Sequence, residues 1–233
     1  MPYYPPQTLY QRLLDWAKDQ RNFIGRKARR EMMHQYGPRA VAEFEARLAT
    51  IGPNDVCIDL GANLGVFTEK LARTGALVHA FEPDPYAYDI AFKRVGHLPN
   101  VVLHKQAVAM QAGTFMLRRS VKFGRKPAAA TGSSTIVFDN PKKFDETGIE
   151  VTVRAFRDVL AEIARPIAIV KMDIEGAEFD ILRDVFANPT AFDIQALYCE
   201  THERSVYTEF AEIDRMRRQS DSIAKPHINL YWP

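Results

Sequence analysis

The chain predicts a doubly wound, Rossmann-like α/β fold: a mostly parallel sheet with helices on both faces, preceded by a helical extension. Three observations lead there. From Val56 onward, short apolar runs alternate with helix-like stretches, the pattern of strands joined by crossover helices. A glycine turn, Gly61-Ala62-Asn63-Leu64-Gly65, follows the first run. A carboxylate, Glu82, closes the second run twenty-one residues after Gly61, where such folds place an acid that takes ribose hydroxyls.

In order along the chain, residues 1–50 read as a helical extension. Leu9, Leu13, Trp16 and Ala17 recur at helical spacing, Gly37-Pro38 is expected to break the pattern, and Arg39 to Leu48 resumes it. Gly52-Pro53-Asn54-Asp55 is a turn. The main domain, 51–233, starts with VCIDL as a buried strand and a helix over Val66–Arg73 that Gly75 ends. ALVHAFE is a second strand, and a helix capped by Asp84 runs to Val95. VVLHKQAV is a third strand. After an insert over 119–148, IAIVKMD is a fourth strand and Ala177–Phe186 a helix. IQALYCE is a fifth strand, Val206–Gln219 a helix, and HINLYW a last strand.

Composition narrows the class. Of 233 residues, 46% are hydrophobic and 26% charged, which is ordinary for a globular domain with a core of its own. The net charge of +2 points to no particular partner. Cys57 and Cys199 both sit in apolar runs, as buried thiols do in a reducing compartment. The first residues lack a basic stretch followed by an apolar one, and no run is long enough to span a membrane. A soluble, cytoplasmic protein is expected.

Ligands of open α/β sheets bind beyond the carboxyl ends of the strands, where strand order reverses. The glycine turn lacks the middle glycine of G-x-G-x-x-G, and Asp59 stands two residues before Gly61. A carboxylate there would repel a pyrophosphate but can accept from an amino acid's ammonium group. S-adenosylmethionine carries that group and no phosphate, so it is the expected cofactor. A second cluster lies in VKMDIEGAEFDIL. Asp173 and Glu175 fall at the carboxyl end of the fourth strand and Glu178 in the first turn of the next helix, where the helix dipole favours acid. Lys171, in a buried strand, needs a carboxylate partner. A third cluster, CETHE, puts Glu200 and His202 at the same rim. His202 is the one histidine of six at a strand end beside the crevice, which makes it a candidate general base.

Together, DLGANLG, AFEPDP, Gln106-Ala107-Val108, GSST and VKMDIEGAE resemble the FkbM-type methyltransferases. The resemblance covers roughly Asp55 to Glu203. It implies a class I methyltransferase fold and transfer of a methyl group to a hydroxyl on a sugar, glycan or natural product. It also implies that Asp59, Gly61 and Asn63 hold the methionine part of the cofactor, Glu82 the ribose and the Gln106-Ala107 segment the adenine side. Ala62, Gly65, Pro83 and Asp173 complete the expected cofactor set. His202, Asp173 and Glu175 are the expected catalytic residues. Glu175, Glu200, His202 and Arg125 are expected to meet the acceptor. Oxygen ligands with one imidazole could hold a magnesium or manganese ion, but the spacing does not demand one and no metal ligand is assigned. Such folds usually end in a helix and an antiparallel hairpin, for which Asp221–Pro233 is short. The sheet edge is therefore expected to be abbreviated, or completed by a second copy in a homo-oligomer.

The insert holds no acid from Met110 to Phe138, while Arg118, Arg119, Lys122, Arg125 and Lys126 are basic. It is either a solvated loop or a lid that meets an anionic group on the acceptor. Two rival functions remain. A nucleic-acid acceptor is disfavoured, because base-flipping amine methyltransferases use an Asn-Pro-Pro-aromatic stretch after the fourth strand. This chain has Asp173-Ile174-Glu175-Gly176 there, and its Asp139-Asn140-Pro141-Lys142 lacks the aromatic. The other rival is a module that binds the cofactor without turnover.

Overall fold

A computed structural model describes residues 3–138, 140–203 and 207–233. Helices α1 (Leu9–Ala17) and α2 (Phe23–Leu48) form the extension. Strand β1 (Val56–Leu60), helix α3 (Val66–Ala72), β2 (Leu77–Phe81), α4 (Pro85–Val95) and β3 (Val101–His104) follow in alternation. Then come β4 (Ala107–Ala109), β5 (Gly113–Leu117), the short α5 (Pro127–Ala130) and β6 (Ile149–Ala155). Helix α6 (Phe156–Ile163), β7 (Ile167–Met172), α7 (Glu178–Ala187), β8 (Ile194–Cys199), α8 (Tyr207–Gln219) and β9 (His227–Asn229) complete the chain.

The main sheet has six strands in the order β3-β2-β1-β7-β8-β9, every pair parallel. Strands β1 and β7 are buried along their whole length, as central strands covered on both faces must be. One face packs against α6 to α8 through Ile58, Leu60, Val170, Ile181 and Ile213. The other meets α2, α3 and the C-terminal segment through Phe44, Leu71, Tyr198 and Trp232. Strand order reverses between β1 and β7, so their carboxyl ends open the crevice where ligands bind in such sheets.

The doubly wound α/β fold with N-terminal helices is as the sequence predicts, with four local corrections. Gly37-Pro38 does not break the second helix: α2 runs unbroken through both. Packing overrides propensity there. A Cβ on Gly37 would stand 3.3 Å from Pro233 Cβ, and the neighbouring Tyr36 is buried against Tyr4 and Tyr231. In α1 the buried side chain is Leu14, while Leu9, Leu13 and Trp16 face outward. VVLHKQAV is not one strand. It breaks at Lys105-Gln106, and β4 joins a second sheet, β4-β6-β5, in which β5 is antiparallel to β6. The edge beside β8 is filled by this chain's own β9, and Leu230, Tyr231 and Trp232 beyond it are buried. Among the described residues, no helix is long and apolar enough to cross a membrane.

Candidate active site

The turn after β1 is shaped by what lies against it. Gly61 has φ of 76°, and a Cβ there would fall 1.8 Å from the Asp173 carbonyl oxygen. Only glycine lets the ends of β1 and β7 come this close. Gly65, at φ 78°, caps α3 and brings it against Ala91 of α4. Asn63 holds φ of 50°. Its N–H donates to Glu82 Oε2 at 2.7 Å, and Glu82 Oε1 accepts from Asp84 N–H at 2.8 Å. Burial raises the Glu82 carboxyl to about 7, although both N–H donors favour its charged form.

Beneath this turn lies a buried ion pair. Asp59 on β1 and Lys171 on β7 are direct cross-strand neighbours. Lys171 Nζ donates to the Gly61 carbonyl at 2.8 Å and stands 3.3 Å from Asp59 Oδ1 and 3.7 Å from Asp173 Oδ2. Burial opposes the lysine charge, but Asp59 and Asp173 outweigh it and hold its pKa above the ordinary value. Asp59 is fully buried. Its Oδ2 accepts from the Thr68 hydroxyl at 2.7 Å, and its Oδ1 completes no hydrogen bond.

A cleft opens above the turn. Gly61, Asn63, Glu82, Pro83, Ala107 and Asp173, all singled out in the sequence, line it, together with Glu175. Asp59, Ala62, Gly65 and Gln106 are not in its lining: Asp59 and Ala62 are buried, Gly65 packs α3 on α4, and Gln106 sits in the turn between β3 and β4. Sequence reasoning missed the apolar wall of Val108, Leu117 and Ile136, and the polar one of Thr131, Gly132 and Ser134. The GSST segment was the one available signal for the latter.

That segment bolts the insert over the cleft. The Thr131 hydroxyl donates to Asn63 Oδ1 at 2.7 Å, and Thr135 to the Glu175 carbonyl at 2.6 Å. Arg119 grips Asp84 with two hydrogen bonds, of 2.8 and 2.6 Å. Arg125 is exposed and lies outside this cleft, on a neighbouring depression with Lys122 and Lys126.

A larger second cleft adjoins the first, and Gly132 and Glu175 line both. Glu200, His202, Lys122, Lys142 and Lys143 also line it. His202 is fixed by Glu178, whose Oε1 accepts from His202 N–H at 3.0 Å and lies 2.9 Å from ring Nδ1. Glu178 itself is fully buried, and its Oε2 accepts from Gly176 N–H. Burial opposes a charge on His202, but Glu178, Glu175 and Glu200 outweigh it and push its pKa to about 10. Glu175, at φ 50°, has its carboxyl raised to about 8 by burial and by Asp173, Glu200 and Glu178, with His202 opposing. Three carboxylates and an imidazole thus meet where the two clefts touch.

Against known proteins, the profile of the Methyltransferase FkbM domain matches residues 59–222. The chain belongs to the FkbM methyltransferase family. A curated relative within reach is the 31-O-demethyl-FK506 methyltransferase FkbM of Streptomyces tacrolimicus. It is 30% identical over 156 residues, 57% of this chain and 60% of the relative. Methyltransferase sdnD of Sordaria araneosa is 27% identical over 170 residues, 59% of this chain and 63% of the relative. A shorter match, 40% over 63 residues, is to the ribosomal RNA small subunit methyltransferase A of Thermotoga maritima. It covers 27% of this chain and 23% of that protein. The chain therefore spans less than two thirds of the length of each of these relatives. The FkbM match begins at Asp59, so the extension α1–α2 lies outside it.

Proposed function

We propose that this FkbM-family chain is an S-adenosylmethionine-dependent O-methyltransferase whose acceptor is a hydroxyl of a sugar, glycan or natural product. The observation that carries the reading is the shared wall at Glu175 and Gly132. A cleft suited to the cofactor touches an oxygen-rich cleft suited to a polyol. The donor set of the first cleft fits the cofactor. Glu82 is a buried carboxylate at the end of β2, Asn63 and Gly61 present a polar turn, and Ala107, Val108, Leu117 and Ile136 offer an apolar wall for an adenine. Asp59 acts from below, setting Lys171 and through it the Gly61 carbonyl.

When bound, the cofactor supplies a methyl group on a sulfonium, already activated for displacement. What remains for the protein is alignment and exclusion of water. Glu175, Glu200 and Asp173 can accept from acceptor hydroxyls. With its pKa near 10 the ligand-free imidazole is protonated at neutral pH, so it acts as a base only once that proton has been given up. The relatives named for ribosomal RNA match through a short segment.

Calorimetry with S-adenosylmethionine, followed by methyl-transfer assays on a panel of glycans and natural products, tests the reading. Binding with methylation of a hydroxyl is expected. Binding without turnover on any acceptor points to the non-catalytic module, and absence of binding removes the proposal. His202→Ala should lower turnover roughly 10²- to 10⁴-fold with cofactor affinity little changed. Turnover within a few-fold of the parent would leave alignment alone as the contribution of this site.

A further inference from the structure

We propose that Asp173, Glu175 and His202 bind one divalent cation of the manganese or magnesium class, positioned to hold the acceptor hydroxyl. The ion site stands on its own geometry; its role towards the acceptor rests on the methyltransferase reading above.

The three residues each offer one ligand atom, and these atoms all lie within 4.8 Å of one another. His202 Nε2 is 3.4 Å from Glu175 Oε2 and 3.8 Å from Asp173 Oδ1, with Glu200 Oε1 at 3.7 Å. These separations exceed the usual 2.7 to 3.2 Å or so of a hydrogen bond. They lie somewhat outside the edges of an octahedral shell, in which bonds of about 2.0 to 2.2 Å put neighbouring donors roughly 2.8 to 3.1 Å apart, so the ligand atoms close by about half an ångström on an ion.

An independent observation comes from His202 itself. Its side chain is 9% exposed, and its Nδ1 is engaged by the fully buried Glu178. Nε2 points into the cluster and makes no hydrogen bond among the described residues. Metal-bound histidines are held this way, one ring nitrogen on a carboxylate and the other on the ion. Lys171 is committed to Asp59 and the Gly61 carbonyl. Its distance of 3.7 Å to Asp173 Oδ2 leaves the other oxygen, Oδ1, facing the imidazole.

The donor set selects the ion. Carboxylates suit magnesium, calcium and manganese, while imidazole suits later transition metals. A mixed set without thiolate favours Mn²⁺ over Mg²⁺ and Ca²⁺. The nearby Cys199 is fully buried, with its thiol turned to the Glu200 carbonyl. The second cleft gives an ion a way in and leaves space for an acceptor oxygen. With His202 on the ion, that oxygen loses its proton to a neighbouring carboxylate and not to the imidazole. It then forms the new C–O bond as the methyl–sulfur bond breaks, whose electron pair stays on sulfur as the neutral thioether.

The test titrates chelator-treated full-length chain with MnCl₂ alone, reading free Mn²⁺ by electron paramagnetic resonance and heat by calorimetry. One ion per chain is expected. Glu175→Gln and His202→Gln should abolish that binding, and Glu178→Gln, one shell out, should weaken it roughly 10- to 100-fold. Circular dichroism and thermal denaturation check that each variant is folded. Should one variant fail to fold, broadening of the His202 ring proton signals by Mn²⁺ in the parent protein decides instead. No Mn²⁺ binding by the folded parent, or binding unchanged in folded variants, overturns the proposal and leaves the protonated His202 ring as the counter-charge of the cluster. A chain that binds the cofactor but no Mn²⁺ sinks the ion alone, and one that binds Mn²⁺ but no cofactor sinks the methyltransferase reading alone.

Discussion

Glu82 sits at the meeting of two demands. In the proposed function it accepts from both ribose hydroxyls, which favours its charged form, yet burial raises its carboxyl to about 7. The ionised fraction therefore grows as pH rises through neutrality. Cofactor affinity should increase about tenfold between pH 6 and pH 8 if the ionised form alone binds. Glu82→Gln should bind more weakly at both values and flatten the dependence, measured by calorimetry. The sign for folding is opposite. A carboxyl whose folded pKa is raised stabilises the fold below the ordinary carboxyl range, and that contribution is lost as pH climbs to about 7. A cofactor affinity that falls with pH would remove Glu82 from the ribose. Glu82 was legible because it closes a strand at a fixed distance from the glycine turn. The setting of Asp59 was less so. Its partner Lys171 lies 112 positions along the chain, and only the register of β1 on β7 brings them together.

At the scale of elements, legibility followed burial. Strands β1, β7 and β8 are apolar runs because both faces are covered. Strand β5 is exposed at four of its five positions, and its pairing with β6 spans the whole insert. Neither a continuous apolar run nor a local turn announces it. The insert reads as a basic loop in sequence, but three of its side chains hold Asn63, Glu175 and Asp84. Hydroxyls of Thr131 and Thr135 carry little sequence signal until their partners are known. Pro38 misled for a related reason: a proline breaks helices on average, but here the packing of its neighbours keeps α2 continuous. Pro38 is exposed, so it gives the helix no buried packing in exchange for its missing N–H. Pro38→Ala should stabilise the protein by roughly 1 to 3 kcal/mol, measured as a higher urea midpoint. A lower midpoint would mean that the ring makes contacts worth more than the hydrogen bond.

For the whole molecule, the C-terminal segment ties the helical extension to the main sheet. Trp232 is 1% exposed and packs on Phe44 of α2, Phe67 of α3 and Tyr198 of β8. Tyr231 stacks on Tyr4. Trp232→Ala should cost roughly 3 to 5 kcal/mol, read by denaturant unfolding. A loss below 1 kcal/mol would mean the extension is held by other contacts. The α1–α2 unit lies outside the family match, yet it completes one face of the sheet core.

Under the proposed function, two ligands would lean on one wall, and that couples them. Glu175 and Gly132 face both clefts, and Glu175 is also where the insert is fastened, through Thr135. A molecule that fixes this segment from one side has already met part of the ordering cost for a molecule on the other. Thermodynamic linkage makes the effect mutual: whatever factor the first gains the second, the second returns to the first. Whichever arrives first would then hold the second more tightly, and the demethylated cofactor would leave more slowly while the methylated product still leans on the common segment.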